Sequence, residues 1–246
     1  MIEIKNLKKT FGDLLVWDNV SFRIEDGETI AIIGKSGCGK SVLLKHINAL
    51  LNPDEGEVLI DGQDINKMEY VDQRIMRQKF GVLFQGSALF DSINTFENVA
   101  FPLRYFTDKN EEEIEETVMR SLKYVKLQES AEKQTAELSG GMRKRVGLAR
   151  AIVLEPEYIL YDEPTSGLDP QTSNEINELI ITMADEFDVT SIVVTHDMHS
   201  VLEIAERVAF LHDQKLAWLG TIDELKISDH KALQSFVSAS EYQIKG

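Results

Sequence analysis

The stretch TIAIIGKSGCGKSVLLKHINALL, residues 29–51, constrains the fold more than any other. Its apolar opening is too short for a helix and suits a buried strand, while apolar residues recur at helical spacing after the glycine-rich loop. Strand, loop and helix in that order are the context that the pattern G-x-x-x-x-G-K-[ST] requires, here Gly34 to Ser41. The physics points to phosphate: curled backbone aims several N–H groups inward, and the helix N-terminus adds partial positive charge. Lys40 can reach the outer phosphates of a nucleotide, and Ser41 offers a hydroxyl to Mg²⁺. The bland alternative, a glycine turn with no ligand, is disfavoured by the strand and helix that flank it. Cys38, the only cysteine, lies in this loop. It reads as a small residue that fits the turn; the alternative is a thiol acidified by the helix N-terminus.

A second constellation sits in YILYDEPTSGLD, residues 158–169. Asp162 ends an apolar strand, where a carboxylate is costly unless a cation neutralises it. Mg²⁺, held directly or through water, would do so. Glu163 follows and can polarise a water for attack on a γ-phosphate. Further on, VVTHD places His196 just past another apolar strand. A lone histidine is usually structural, but the carboxyl edge of a parallel sheet is where ligands bind.

These sites stand in a recognisable alternation. VSFRI and TIAII read as strands joined by a turn at Asp26-Gly27, and GEVLIDGQDI as a further strand and turn. From Ser87 to Leu154 the texture becomes mostly helical. EEEIEETVMRSLKYVKL spaces Ile114, Val118, Leu122 and Val125 near helical period. Glu111, Glu112, Glu113, Glu115 and Glu116 between them read as a solvated face rather than an acidic docking site. EYILYD and TSIVVTH then return as short buried strands, each followed by a helix, as in a parallel sheet. VAFLHDQKLAWLG reads as a hairpin turning at Asp213-Gln214, and residues 229–246 as a short helix with a loose end.

Composition excludes several classes. A net charge of −16 over 246 residues argues against general nucleic-acid binding and against electrostatic adhesion to anionic lipid. One cysteine gives no disulfide framework and fits a reducing compartment. No apolar run of about 18 residues exists to span a bilayer, and the start MIEIKNLKKT has no signal-like apolar region. Against this acidity, ELSGGMRKRV is an odd stretch: Arg143, Lys144 and Arg145 stand together behind a Ser-Gly-Gly turn. Backbone amides, a hydroxyl and local positive charge at one point suit an anion. Consecutive residues cannot share a helix face, so at least one of the three is expected to be solvated or paired within the helix.

Taken together and in order, these motifs resemble the ABC-type ATPases over roughly residues 1–225. GKSGCGKS resembles Walker A and YILYDE resembles Walker B. Gln85 in VLFQGS resembles the Q-loop glutamine, and SGLD resembles the D-loop, with Asp169 near a dimer seam. His196 resembles the switch histidine, and Phe11 in KTFG the aromatic that stacks on adenine. LSGGM resembles the signature sequence, which answers the question of whose anion: Ser139, Gly140, Gly141 and Met142 would grip ATP bound to the opposite subunit. The resemblance implies an α/β P-loop NTPase with a RecA-like core sheet, an N-terminal antiparallel β subdomain and an inserted α-helical subdomain. It implies a single domain over 1–228, with 1–86 and 155–228 as the catalytic core, 87–154 as the helical signature subdomain and 229–246 as a short tail. It implies ATP and Mg²⁺. Phe11, Val16, Gly34, Lys35, Ser36, Gly37, Cys38, Gly39, Lys40, Ser41 and Val42 would bind ATP. Ser41, Gln85 and Asp162 would hold the metal, and Glu163, His196 and Lys40 would be catalytic.

Two departures narrow the resemblance. Met142 stands where most of the family has Gln, and FQGSALFDS follows the Q-loop. Both are similar to ATPases of Mce-type, or Mla-like, phospholipid transport. The implied partners are a second copy in a head-to-tail ATP sandwich, a separate integral-membrane permease and an Mce-domain substrate-binding subunit. The implied place is the cytoplasmic face of the inner membrane, reached through the permease. Any C-terminal clasp on the partner ATPase would be short or absent. Phe84, Phe90, Phe96, Phe101 and Phe106 would supply both core and an exposed docking groove for a permease helix. The other readings are a regulatory ATPase of the cell-division type, an ATPase for amino acids, metals or drugs, and a non-catalytic scaffold. Retention of Lys40, Glu163 and His196 argues against the last.

Overall fold

A computed structural model describes residues 1–244 of the chain. The residues form two compact units: 1–77 with 190–246, and 78–189. In the first unit, β1 (Ile2–Phe11), β2 (Leu14–Ile24), β4 (Glu55–Ile60) and β5 (Gln63–Asp64) make an antiparallel sheet in the order β2-β1-β4-β5. Ile2, Ile4 and Leu7 of β1 are fully buried, as expected for a sheet with one wet face; the strict alternation breaks between Ile4 and Leu7, where the register shifts and Asn6 has φ 50°.

The second sheet of this unit contains β3 (Thr29–Ile33), β8 (Thr190–Val194), β9 (Arg207–His212) and β10 (Lys215–Thr221). β3 pairs in parallel with both β8 and β9, and β10 returns antiparallel to β9. Every residue of β3 and β8 is buried, and both are apolar after the polar residues that open them, Thr29 in β3 and Thr190 and Ser191 in β8. The expected turn at Asp26-Gly27 exists, yet the strands it joins belong to different sheets. The expected hairpin at Asp213-Gln214 also exists, and both residues have positive φ, 47° and 60°, as a tight hairpin turn demands. Helices α1 (Lys40–Ile47), α2 (Tyr70–Gln78), α7 (Met198–Ile204), α8 (Ile222–Ile227) and α9 (Lys231–Ile244) complete the unit. Only the last residue of α2 crosses the boundary. α1 is shorter than its apolar pattern suggested, because Asn48 caps it and Ala49 turns to φ 53°. The expected C-terminal helix is α9, whose Phe236 ring lies 5.4 Å from Phe210; residues 245 and 246, the expected loose end, lie outside the described residues.

In the other unit β6 (Phe80–Leu83) pairs in parallel with β7 (Tyr158–Asp162). Around them stand α3 (Thr95–Phe106), α4 (Glu111–Tyr124), α5 (Gly140–Ile152) and α6 (Pro170–Phe187). α4 buries Ile114, Val118 and Leu122 and exposes all five glutamates of its run, the solvated face expected from sequence. Two of these have local work: Glu113 closes a capping box with Asn110, and Glu111 pairs with Arg104. α5 comes very close to β6. A Cβ at Gly81 would fall 2.3 Å from the Ala151 carbonyl oxygen, and one at Gly147 would fall 2.7 Å from Leu83.

Candidate functional site

The first unit presents the glycine loop between β3 and α1. Lys40 is buried at 6% exposure, and its Nζ donates to the carbonyls of Gly34 (2.9 Å) and Lys35 (3.4 Å). The ammonium therefore lies across the inside of the loop, while Lys35, Ser36 and Gly37 are exposed and Cys38, Gly39, Ser41 and Val42 are partly so. No acidic residue occupies the first turn of α1 and no side chain caps it, so the positive end of its dipole favours an anion. Gly39 cannot be replaced without movement: φ is 94°, and a Cβ would lie 2.4 Å from Val16 and 2.7 Å from the buried Trp17. Val16 thus supports the loop from behind.

Phe11 ends β1 with its ring 45% exposed and Lys9 Nζ 5.3 Å from the ring centroid. An exposed ring face beside a cation suits a stacked base. His196 is exposed two residues past β8. Hydrogen bonds of the neighbouring Asp197 fix the backbone there. The Asp197 amide donates to Thr195 Oγ1 (3.0 Å), and the Asp197 carboxylate accepts from the His199 amide (3.0 Å) and Ser200 hydroxyl (2.8 Å).

The second unit carries the remaining residues. Asp162 is the last residue of β7 and half-buried; Glu163 is buried and adopts φ 49°, a left-handed conformation unusual for a residue other than glycine. Such strain clusters where a site fixes a side chain's direction. Gln85 is exposed beyond β6, and Ser87 and Ala88 after it are also left-handed, with φ 62° and 47°. Ser139 caps α5 by accepting from the Met142 amide (3.2 Å), which leaves its O–H free to donate outward. A Cβ at Gly141 would lie 2.4 Å from Thr172 of α6, so this glycine lets the two helix starts meet. Asp169 caps α6, accepting from the Thr172 amide (3.0 Å) and hydroxyl (2.6 Å), and these bonds hold its carboxyl below its ordinary range.

Of the three consecutive basic residues Arg143 is exposed, as expected for at least one of them, while Lys144 turns inward. Arg143 donates to the Leu138 carbonyl (2.6 Å), Arg145 pairs with Glu175 of α6 (2.8 Å), and Lys144 is buried at 4% exposure. Lys144 Nζ donates to the carbonyls of Gln85 (2.6 Å) and Glu163 (2.9 Å). Burial pushes its ammonium down to about 8, against the opposing pull of the Asp162 and Glu163 carboxylates. The expected pool of positive charge for an anion is thus spent on the protein itself, because each side chain has a stronger local partner. Arg150, further along the same helix, donates to the Ser87 (2.6 Å) and Ala88 (2.7 Å) carbonyls, and burial lowers its pKa too. Asn98 was also missed: fully buried, it bonds the Phe90 amide and the Phe90, Ile93 and Asn94 carbonyls. Of the predicted docking rings, Phe84, Phe90 and Phe101 are exposed with Tyr105, and Phe90 and Phe101 touch at 4.9 Å between centroids.

A glycine loop opening a helix beside a parallel strand defines a P-loop nucleotide-binding protein. A family model described as ABC transporter matches residues 17–166, and the chain belongs to that family. It is 42% identical over 237 residues to the probable ribonucleotide transport ATP-binding protein mkl of Mycobacterium leprae, covering 96% of this chain and 68% of that one. It is also 42% identical over 237 residues to the intermembrane phospholipid transport system ATP-binding protein MlaF of Haemophilus influenzae, covering 96% of this chain and 90% of that one. Proteins named methionine import ATP-binding protein MetN match at 39% and 40% identity. Among solved structures, the dimeric post-hydrolysis state of the ATP-binding cassette MJ0796 bound to ADP and Pi superposes with a TM-score of 0.83 at 33% identity, covering 90% of this chain and 99% of that one. The chain is accordingly an ATP-binding, ATP-hydrolysing subunit of the ABC type, with the α/β P-loop fold expected from sequence. Among the described residues no helix is long and apolar enough to cross a membrane.

Proposed function

We propose that this ATPase powers a transporter of phospholipid or another hydrophobic substrate, in the manner of Mce-type or Mla-like systems. The observation that carries the reading is the likeness to the Haemophilus phospholipid-transport ATPase, which extends over 90% of that protein. Met142 in the signature and FQGSALFDS after Gln85 support it from sequence. The MetN relatives favour a second reading, import of an amino acid, because their identity is nearly as high.

In either case the residue roles are the same. Residues 34–42, Phe11 and Val16 bind ATP, with Lys40 swinging from the loop carbonyls to the outer phosphates. Ser41, Gln85 and Asp162 would hold Mg²⁺; a hydroxyl, an amide oxygen and a carboxylate are hard oxygen donors of the kind this ion takes. Bound there, it would supply positive charge beside the phosphates. Glu163 polarises the attacking water, and His196 attends the γ-phosphate. Ser139, Gly140, Gly141, Met142 and Asp169 serve the nucleotide of a second copy, residues 87–154 acting as the signature subdomain against a core of 1–86 and 155–228. The copies form a head-to-tail homodimer on the cytoplasmic face of the inner membrane. There the exposed Phe84, Phe90, Phe101 and Tyr105 receive a permease helix, and an Mce-domain subunit supplies substrate.

The test is a pull-down of the Glu163→Gln chain from its native host in mild detergent with ATP and Mg²⁺, read by mass spectrometry of proteins and lipids. A permease arriving with an Mce-domain protein and phospholipid is expected. A permease with an amino-acid-binding protein would establish the second reading, and a division-type membrane protein with no substrate-binding subunit would refute both.

A further inference from the structure

Lys144 is a buried cation that the family roles above leave unused. It lies on α5, the helix that begins at the Ser139 cap, and faces β6 on the same stripe as Gly147 and Ala151. On that stripe an apolar residue would pack as well as a lysine. What the ammonium adds is two donated hydrogen bonds, to the Gln85 carbonyl at 2.6 Å and the Glu163 carbonyl at 2.9 Å. Both acceptors sit where the backbone is unusual: Glu163 is itself left-handed, and Gln85 leads into left-handed Ser87 and Ala88, whose carbonyls Arg150 holds. A conformation that the chain disfavours persists only where its surroundings over-determine it. Here two cations of one helix are among the over-determining groups, beside the Ser166 amide, which also donates to the Glu163 carbonyl (3.3 Å).

We propose that Lys144 is a positioning residue for ATP hydrolysis, a strut that ties the backbone of Gln85 to that of Glu163 so that the amide of one and the carboxylate of the other keep a fixed spacing. The proposal rests on the assignment of Gln85 and Glu163 made above. Because Ser139 caps α5 and Gly140 and Gly141 open it, Lys144 links the helix that carries this turn directly to the carbonyls of both Gln85 and Glu163. In this role Lys144 acts through the two residues it holds.

The experiment compares steady-state ATP hydrolysis by the full chain, Lys144→Met and Glu163→Gln, with melting temperatures measured alongside. Lys144→Met keeps an unbranched side chain, one atom shorter, and loses both donors. Small misplacement of a reacting group costs up to about 100-fold in rate. The expected result is a kcat lower by about 10- to 100-fold with KM for ATP within about twofold, in protein folded at the assay temperature. A parental kcat per folded molecule would overturn the proposal, since packing alone would then explain the residue. Loss expressed in KM with kcat retained would overturn it equally. Should Lys144→Met not fold, Lys144→Gln is measured instead: its shorter amide reaches one carbonyl at most, and the same split of reduced kcat and unchanged KM is expected. Normal turnover in Glu163→Gln would instead remove the underlying assignment, an outcome separate from either Lys144 result.

Discussion

Substituting Gly39 by alanine tests how far the glycine loop depends on backbone geometry. Two separate costs apply. The residue has φ 94°, where an L side chain is strained, at about 1–3 kcal/mol. Its Cβ would also lie 2.4 Å from Val16 Cγ1 and 2.7 Å from the Trp17 ring, and forcing atoms into a packed site costs about 1–3 kcal/mol more. Trp17 is fully buried and has no room to retreat. The sum, about 2–6 kcal/mol, corresponds to a melting temperature lower by about 4–24 °C at roughly 2–4 °C per kcal/mol for a chain of this size. Gly37→Ala is the internal control. Its φ is 78°, but nothing lies within 4 Å of the new Cβ, so it meets only the first cost. Differential scanning calorimetry of the two variants without nucleotide therefore isolates the contact with Val16 and Trp17. Gly39→Ala is expected to melt below Gly37→Ala by at least a few degrees. Equal melting temperatures would show that the loop is not braced against β2, and the argument from close approach would fail.

Other consequences are as direct. Lys40→Ala removes the ammonium from the loop, so the rise in melting temperature that saturating ATP gives the parent should vanish; an unchanged ATP-induced rise would contradict the role of Lys40. Asn98→Leu keeps the bulk but strips partners from the Phe90 amide and from carbonyls of the loop after Gln85, at about 1–3 kcal/mol, which denaturant unfolding would read as a lower midpoint. His46 is fully buried in α1, and burial lowers its pKa from 6.5, with Lys9 adding to the shift while Val42, Asp54 and Asn52 oppose it. A depressed folded-state pKa means the unfolded chain binds the proton first, so stability present at neutral pH is lost as pH falls from about 6.5 toward the folded value. The parent should therefore lose more stability between pH 7.5 and 5.5 than His46→Leu does; parallel losses would show that His46 does not titrate in this way.

Much of this was legible in sequence because local rules and tertiary demands agree there. The run TIAII is apolar after Thr29 because β3 is buried along its whole length, and GKSGCGKS carries its geometry in its glycines. Asp213-Gln214 announced its turn, and the carboxylates of α4 face water as their periodicity requires. What escaped depends on contacts between residues far apart in the chain. Lys144 and Gln85 are 59 positions apart, Arg150 and Ser87 63, so nothing in a window around Arg143-Lys144-Arg145 indicates that the middle residue turns inward. The spacing rule did say that the three could not share a face, and that is what the structure shows; it did not say where each face looked. The left-handed Glu163 escaped for a similar reason. Sequence supplied the carboxylate, whereas the carbonyl of this left-handed residue is held by Lys144, 19 positions away on α5.

We propose that ATP closes two copies of this chain against the Ser139–Met142 turn. Analytical ultracentrifugation of Glu163→Gln with ATP and Mg²⁺ tests it most directly, alongside the same chain carrying Ser139→Arg. The account predicts a dimer for the first, and for the second a monomer that still binds ATP. A dimer that persists with Ser139→Arg, or a Ser139→Arg monomer that no longer binds ATP, would place the work of that turn elsewhere.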